Sequence, residues 1–251
     1  MDDNHIASIR QSSALVQEAP LLSTSKQIRT LKELAPVLYD EKCSLKTDLD
    51  SPVYETWRDC GDDNVRDLLA KQGLRYDLTI MPPNTFGDEY VKTLGHYHQP
   101  NGTTGSYHEI FGVIEGEAQF LIQKQCGQEV VDVLLLVAKE GEKILIPSNY
   151  GHVMINASSK RLVTENLISR SCVQCYDHYV KWRGGAYYVL TGDRYVKNSH
   201  YSSVPRLQVT RPASPSFLNN SSSLVQSFMN DPKKFGFLNE PAMCLLWKFA
   251  Q

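Results

Sequence analysis

From Val53 onward the chain falls into short apolar-rich runs, many with period-two alternation, divided by turn residues. The pattern predicts strands at Val53–Arg58, Leu74–Met81, Glu89–His98, Tyr107–Ile114, Ala118–Gln123, Val130–Ala138, Lys143–Pro147, His152–Asn156, Leu162–Ile168 and Tyr187–Leu190. No helical stretch of useful length is expected between them. Glu115-Gly116-Glu117, Cys126-Gly127-Gln128 and Glu140-Gly141-Glu142 supply the turns, with Gly116 free to adopt a positive φ. Regular short strands without intervening helices predict an all-β, closed or two-sheet antiparallel architecture.

The flanks read differently. Residues 1–24 are polar and mixed and form an N-terminal extension, and residues 25–200 form the β domain. Residues 201–251 are a linker and C-terminal extension, Ser/Pro/Asn-rich from Ser202 to Ser223. Thr24-Ser-Lys-Gln27 has capping-box spacing and predicts a short helix through Leu34. Leu224–Met229 and Ala242–Ala250 carry apolar residues expected to dock on the barrel or on a partner subunit. Leu245–Phe249 is the expected packing anchor.

Composition narrows the class. The 251 residues are 41% hydrophobic and 22% charged, with a formal net charge of −2. That balance gives no basic surplus for nucleic acid or anionic membrane, so neither is an expected partner. No apolar run approaches the roughly 20 residues of a membrane helix. The first residues lack the basic-then-apolar order of a secretory signal, so the expected location is cytoplasmic. Six scattered cysteines are expected to be reduced thiols. Cys172 and Cys175 have the spacing of a zinc half-site or redox pair but no second pair beside them.

The candidate chemistry lies in the histidines. His96 and His98 stand at i and i+2, so on a strand both imidazoles project from one face. Glu109 and His152 each sit in a separate apolar run. Three imidazoles and a carboxylate from different strands suit Fe(II), Mn(II), Zn(II) or Ni(II).

Two blocks carry a family resemblance. The first is His96-Tyr-His98, then Glu109 and Gly116; the second is Gly141, Pro147, His152 and Asn156. Together they resemble the paired motifs of the cupin superfamily, whose members are jelly-roll (double-stranded β-helix) barrels. The gap between His98 and Glu109 is longer than usual there, but Gln99–Ser106 has turn composition and can bulge. Thr93-Leu-Gly-His-Tyr-His98, with Glu109-Ile-Phe after it, resembles the cupin-type phosphoglucose isomerases. So do Val37–Glu41, Asp50–Trp57 and Arg75–Pro82, the last with Thr79 in register. The resemblance runs from about residue 29 to about residue 192.

The resemblance implies a metal-dependent aldose–ketose isomerase interconverting glucose 6-phosphate and fructose 6-phosphate, usually a homodimer. It implies one divalent ion per subunit, Fe(II) first, held by His96, His98, Glu109 and His152. Glu109 would also be catalytic, carrying a proton between C1 and C2; a metal-assisted hydride shift is the competing route. Thr79, Thr93 and Gly95 would hold the phosphate, Tyr54 would line the sugar pocket, and His178 and Tyr179 would contact substrate. Lys92 could add charge. Phe111 stands where the family has tyrosine, and residues 168–179 depart from its pattern. Alternatives are a cupin dioxygenase using Fe(II), or a non-catalytic sugar-phosphate-binding cupin.

Overall fold

The computed structural model describes residues 23–46, 48–102, 105–212, 217–218 and 223–240. The expected anchor Leu245–Phe249 and nearly all of the N-terminal extension lie outside these residues. The strands are β1 (Ser25–Thr30), β2 (Pro52–Arg58), β3 (Leu74–Met81), β4 (Thr85–Phe86), β5 (Glu89–Tyr90), β6 (Tyr97–His98), β7 (Glu109–Glu115) and β8 (Glu117–Cys126). They continue as β9 (Glu129–Lys139), β10 (Lys143–Ile146), β11 (Gly151–Ile155), β12 (Leu162–Ser169), β13 (Gln174–Cys175), β14 (Tyr187–Leu190), β15 (Arg194–Lys197) and β16 (Gln208–Thr210).

Two sheets dominate, ordered β1-β2-β3-β12-β7-β10 and β11-β8-β9-β16. All pairings within them are antiparallel except β16 on β9. The fold is the all-β, two-sheet, largely antiparallel architecture that the strand pattern predicts. One core, with Phe111, Phe120, Leu121, Ile144, Ile146 and Met154, fills the space between the sheets. A second, with Leu69, Tyr76, Leu78, Ile110, Leu167 and Phe228, lies on the other face of the six-stranded sheet. Both faces of β3, β7 and β12 are nearly continuously buried, and the polar residues on them, among them Asp77, Glu109, Glu165 and Asn166, are therefore buried too.

Three local expectations are corrected. The helix expected from Thr24 begins later: residues 25–30 form β1 against β2, and Leu31–Leu34 form α1. Its capping box is Thr30 and Glu33, not Thr24 and Gln27. A helix does interrupt the strands: α2 (Asp63–Lys71) starts where the Asp62 carboxylate accepts from Val65 N–H, and Gly73 follows it at φ +67°. The expected strand Glu89–His98 is split, because Gly95 at φ +85° turns the chain between β5 and β6. A further helical turn is α3 (Asp177–Lys181).

Leu224–Asn230 form α4, which lays Leu224 and Phe228 on the outer face of the six-stranded sheet. The buried Glu165 carboxylate secures it, accepting from Leu224 N–H (3.0 Å) and Tyr76 O–H (2.9 Å). Gly112 leaves room for that carboxylate, since a Cβ there would sit 2.6 Å from Glu165 Oε1. Among the described residues, no helix is long and apolar enough to cross a membrane. Phe228→Ala should destabilise the protein by about 3–5 kcal/mol in urea unfolding, the usual result of emptying a filled core site. A change within about 0.5 kcal/mol would mean that α4 does not pack on the sheet.

Candidate metal centre

The backbone brings the histidines together. His96 N–H donates to the His152 carbonyl (3.2 Å) and His152 N–H to the His96 carbonyl (3.0 Å), making the two residues direct cross-strand partners. Their ring centroids lie 4.3 Å apart. His98, two residues on, places its ring 5.3 Å from that of His96. Glu109 enters from the facing sheet at the start of β7. One donor atom from each of His96, His98, Glu109 and His152 lies within 4.8 Å of every other.

The protonation pattern suits a cation. His98 Nδ1 lies 2.8 Å from the Tyr107 carbonyl, which can only accept, so Nδ1 carries the proton. In the neutral ring, Nε2 then turns its lone pair toward Glu109 Oε2, 3.1 Å away. Such a contact repels unless a cation sits between the two or the ring gains a second proton. Burial, then the neighbouring histidines, pushes His96 and His152 well below the usual imidazole range. Both are therefore neutral and ready to ligate. Among the described residues, His96 Nε2 has no hydrogen-bond partner. Asn166 Nδ2 donates to Glu109 Oε1 (2.8 Å) and orients the carboxylate, as partners of metal ligands commonly do. The donor set fits a divalent transition metal.

A cleft of about 530 Å³, measured with its open mouth, surrounds the cluster. Its main wall is the inner face of the six-stranded sheet. Gln27, Thr56 and Thr79 stand side by side across β1, β2 and β3, and the row continues to Thr164 and Val113. Asp77, Asn166, Phe111 and Ile144 form the neighbouring row. Tyr54, Thr79, Thr93 and Gly95 all line the cleft. Thr93 Oγ1 accepts from Met154 N–H (2.9 Å), and Thr79 Oγ1 meets Thr56 Oγ1 at 3.3 Å. Phe111 adds apolar surface, its ring centroid 5.6 Å from that of His152.

His178 and Tyr179 do not line the cleft. The short turn of α3 leaves His178 exposed against the Tyr97 ring and drives Tyr179 into the core. Tyr179 acts from beneath: a Cβ on Gly95 would lie 2.5 Å from its ring. Tyr176 and Gln174 reach the cleft instead. Lys92 is also elsewhere, buried with Glu89 (2.5 Å) and the Val37 carbonyl (2.6 Å). Sequence reasoning missed Gln27, Arg29, Thr56, Arg58, Asn166, Gln174 and Tyr176, which all line the cleft. The signal was the i, i+2 spacing of polar residues on β1 and β2. On β1 the helix reading hid it.

Two outcomes follow for the cluster. His96→Ala should lose the bound metal, as measured by elemental analysis, with the fold kept by circular dichroism. In metal-free protein, His96 and His152 titrate lower when folded than the unfolded value near 6.5, so the unfolded chain takes up protons first as pH falls. Stability should therefore fall below about pH 6.5, by up to about 1.4 kcal/mol per pH unit for each histidine. Asparagine at both positions should flatten that dependence in urea titrations; an unchanged slope would contradict it.

Comparison with known proteins supplies the last element. A model of the family described as glucose-6-phosphate isomerase (GPI) matches residues 28–206. No curated protein matches the chain. Similar solved structures include Bacillus subtilis oxalate decarboxylase, 18% identical over 52% of this chain and 30% of that one, with a TM-score of 0.36. The coconut allergen cocosin is 12% identical over 61% and 35%, with a TM-score of 0.37. Lactobacillus farciminis oxalate decarboxylase in a formate complex is 15% identical over 49% and 30%, with a TM-score of 0.35. The chain thus spans about a third of the length of each of these structures, and no functional weight rests on them. The family match covers well over half of the sequence and includes all four donors of the cluster. The chain belongs to the glucose-6-phosphate isomerase (GPI) family.

Proposed function

We propose that this protein is a metal-dependent aldose–ketose isomerase that interconverts glucose 6-phosphate and fructose 6-phosphate. The observation that carries the reading is the union, in one cleft, of the His96/His98/Glu109/His152 cluster with Thr79, Thr93 and Gly95. Family membership supports it.

His96, His98, Glu109 and His152 would hold one divalent ion, Fe(II) first and Mn(II), Zn(II) or Ni(II) next. A cation there supplies electrostatic stabilisation of the negative charge that develops on the C1 and C2 oxygens during enolisation. The chain's own residues do the rest. Glu109 takes the proton from one carbon and returns it to the other, its second oxygen steadied by Asn166. Tyr54 and Tyr176 stay protonated because burial pushes both phenols up. The Tyr176 O–H donates to Gln174 Oε1, so its oxygen is left to accept from a sugar hydroxyl, and Tyr54 presents its phenol to the sugar. Phe111 and Met154 shield the reacting end from water. Homodimerisation and a cytoplasmic location belong to this reading through the family resemblance.

A coupled assay tests it. Protein loaded with Fe(II), Mn(II), Zn(II) or Ni(II) should interconvert the two sugar phosphates, and EDTA should abolish turnover reversibly. Glu109→Gln should lower kcat at least about 100-fold. In deuterated water, deuterium should enter the product at the migrating position; its absence would assign a hydride shift and remove the base role of Glu109. Inactivity with all four metals would overturn the proposal, and oxygen uptake with a catechol or thiol would point to a dioxygenase.

A further inference from the structure

The three groups expected to hold the phosphate carry no charge. Thr79 and Thr93 offer hydroxyls and Gly95 a backbone N–H, and both hydroxyls already have protein partners. A phosphate monoester near neutral pH carries about −1.5 to −2 charge. Taking such a group out of water against neutral donors alone leaves its desolvation poorly compensated. The cleft holds a remedy outside that trio.

Arg29 and Arg58 both line the cleft. Arg29 lies two residues along β1 from Gln27, and Arg58 two residues along β2 from Thr56, so they flank the Gln27–Thr56–Thr79 row on either side. The Arg29 side chain is only 11% exposed, and its Nε has no hydrogen-bond partner among the described residues. Its guanidinium packs 5.2 Å from the centre of the Tyr176 ring. Its one ionic partner among the described residues, Glu33, is outward and 40% exposed, so water screens that pair (2.7 Å).

Arg58 is held from behind. Its Nη1 lies 2.8 Å from Oδ2 of the fully buried Asp77, and its Nη2 donates to Gln27 Oε1 at 3.2 Å. Asp77 must also serve Arg75, whose Nε meets both of its oxygens at 3.1 and 2.8 Å. Asp59, the neighbouring acid, pairs with Arg170. Arg58, Arg75 and Arg170 thus share Asp77 and Asp59, with Glu109 also acting on Arg75, and of the three Arg58 opens on the cleft.

Resting on the isomerase reading for the identity of the sugar, we propose that Arg29 and Arg58 bind the phosphate dianion and set the preference for phosphorylated over neutral sugars. The geometry suits the task. Arginine offers several donors in a planar fork that matches phosphate oxygens, and both forks are pre-positioned, by the Tyr176 ring and by Asp77. The threonine row then orients the phosphate between them.

Calorimetric titration of metal-free protein with inorganic phosphate and with fructose 6-phosphate is the test, alongside steady-state assays of the metal-loaded enzyme. Arg29→Met should weaken both ligands at least about 10-fold, raise KM by a similar factor and leave kcat within about threefold. Arg29→Lys should recover part of the affinity, and Arg58→Lys should weaken binding without uncovering the Asp77 charge. Discrimination between glucose 6-phosphate and glucose should shrink in step, as should the salt dependence of KM. Arginine variants that fold, bind and discriminate as wild type does would overturn the inference while leaving the isomerase reading intact. Wild type that binds neither phosphate nor fructose 6-phosphate would overturn it too. Wild type that binds both without turnover, with Arg29→Met weakened, would sustain this inference and remove the isomerase.

Discussion

Two backbone hydrogen bonds between His96 and His152 make the rest of the site possible. A side-chain cluster cannot assemble itself, because four polar groups crowded in an apolar interior lose hydration and gain little unless the chain already holds them there. The pairing supplies that hold. It fixes the segment from Val91 to His98 along the edge of β11, where Thr93 N–H donates to the Met154 carbonyl and Asn156 N–H to the Val91 carbonyl. His98 follows by strand alternation, and Glu109 needs only to face it from the other sheet. The strain of the arrangement is confined to Gly95, which turns the chain at positive φ and tolerates the Tyr179 ring only because it has no Cβ.

Much of this was legible before any coordinates, for definable reasons. The limits of β3 follow from its alternating pattern between Gly73 and Pro82, and those of β14 from an apolar run between Ala186 and Thr191. The four donors could be found because a strand's period of two makes His96 and His98 co-facial whatever the tertiary fold. The altered stretch 168–179 could not be placed, since matching Asp177-His178-Tyr179 to a family pattern says nothing about which residue a short helical turn will swing inward. There, Tyr176 faces the cleft and Tyr179 the core. The helix α2 was not legible although Asp62 and Gly73 bracket it, because it buries only Leu69 and so leaves a weak apolar stripe. Arg29 was hidden by its strand: once residues 24–34 are read as helix, Gln27 and Arg29 no longer share a face with Thr56 and Arg58.

The same sheet explains why buried polar groups are tolerated here in such number. Asp77, Glu165, Asn166 and Glu109 are all nearly inaccessible, yet each has named partners: two guanidiniums for Asp77, Tyr76 and Leu224 N–H for Glu165, Glu109 for Asn166. Removing one member would leave the others unpaired in a medium of low polarity, which costs more than the pairing itself contributes. Such networks fix side-chain positions, and a site meant to present a carboxylate at one defined angle benefits from that rigidity. Asn166 matters in this light. It stands between the Asp77 row and Glu109, so the cationic side of the wall and the carboxylate at the metal cluster are braced by one strand.

Seen along its length, the cleft is electrically polarised. At one end the His96, His98 and His152 rings and the Glu109 carboxylate gather in a pocket that suits a cation; toward β1 and β2 stand the Arg29 and Arg58 guanidiniums. A sugar phosphate has complementary ends, a carbonyl and hydroxyl pair that a cation attracts and a phosphate that it would also attract if nothing competed. That competition is the difficulty such a site must solve, because a phosphate bound to the metal cluster would block the reaction. Neutral threonines alone could not outbid a divalent cation for a dianion. Two arginines on the opposite wall can shift the balance by charge, and their fixed forks favour the tetrahedral oxygens of phosphate over sugar hydroxyls. On the proposed reading, orientation of a sugar phosphate would be decided by where the positive charges stand relative to one another, and the Thr79 row would set the distance between them.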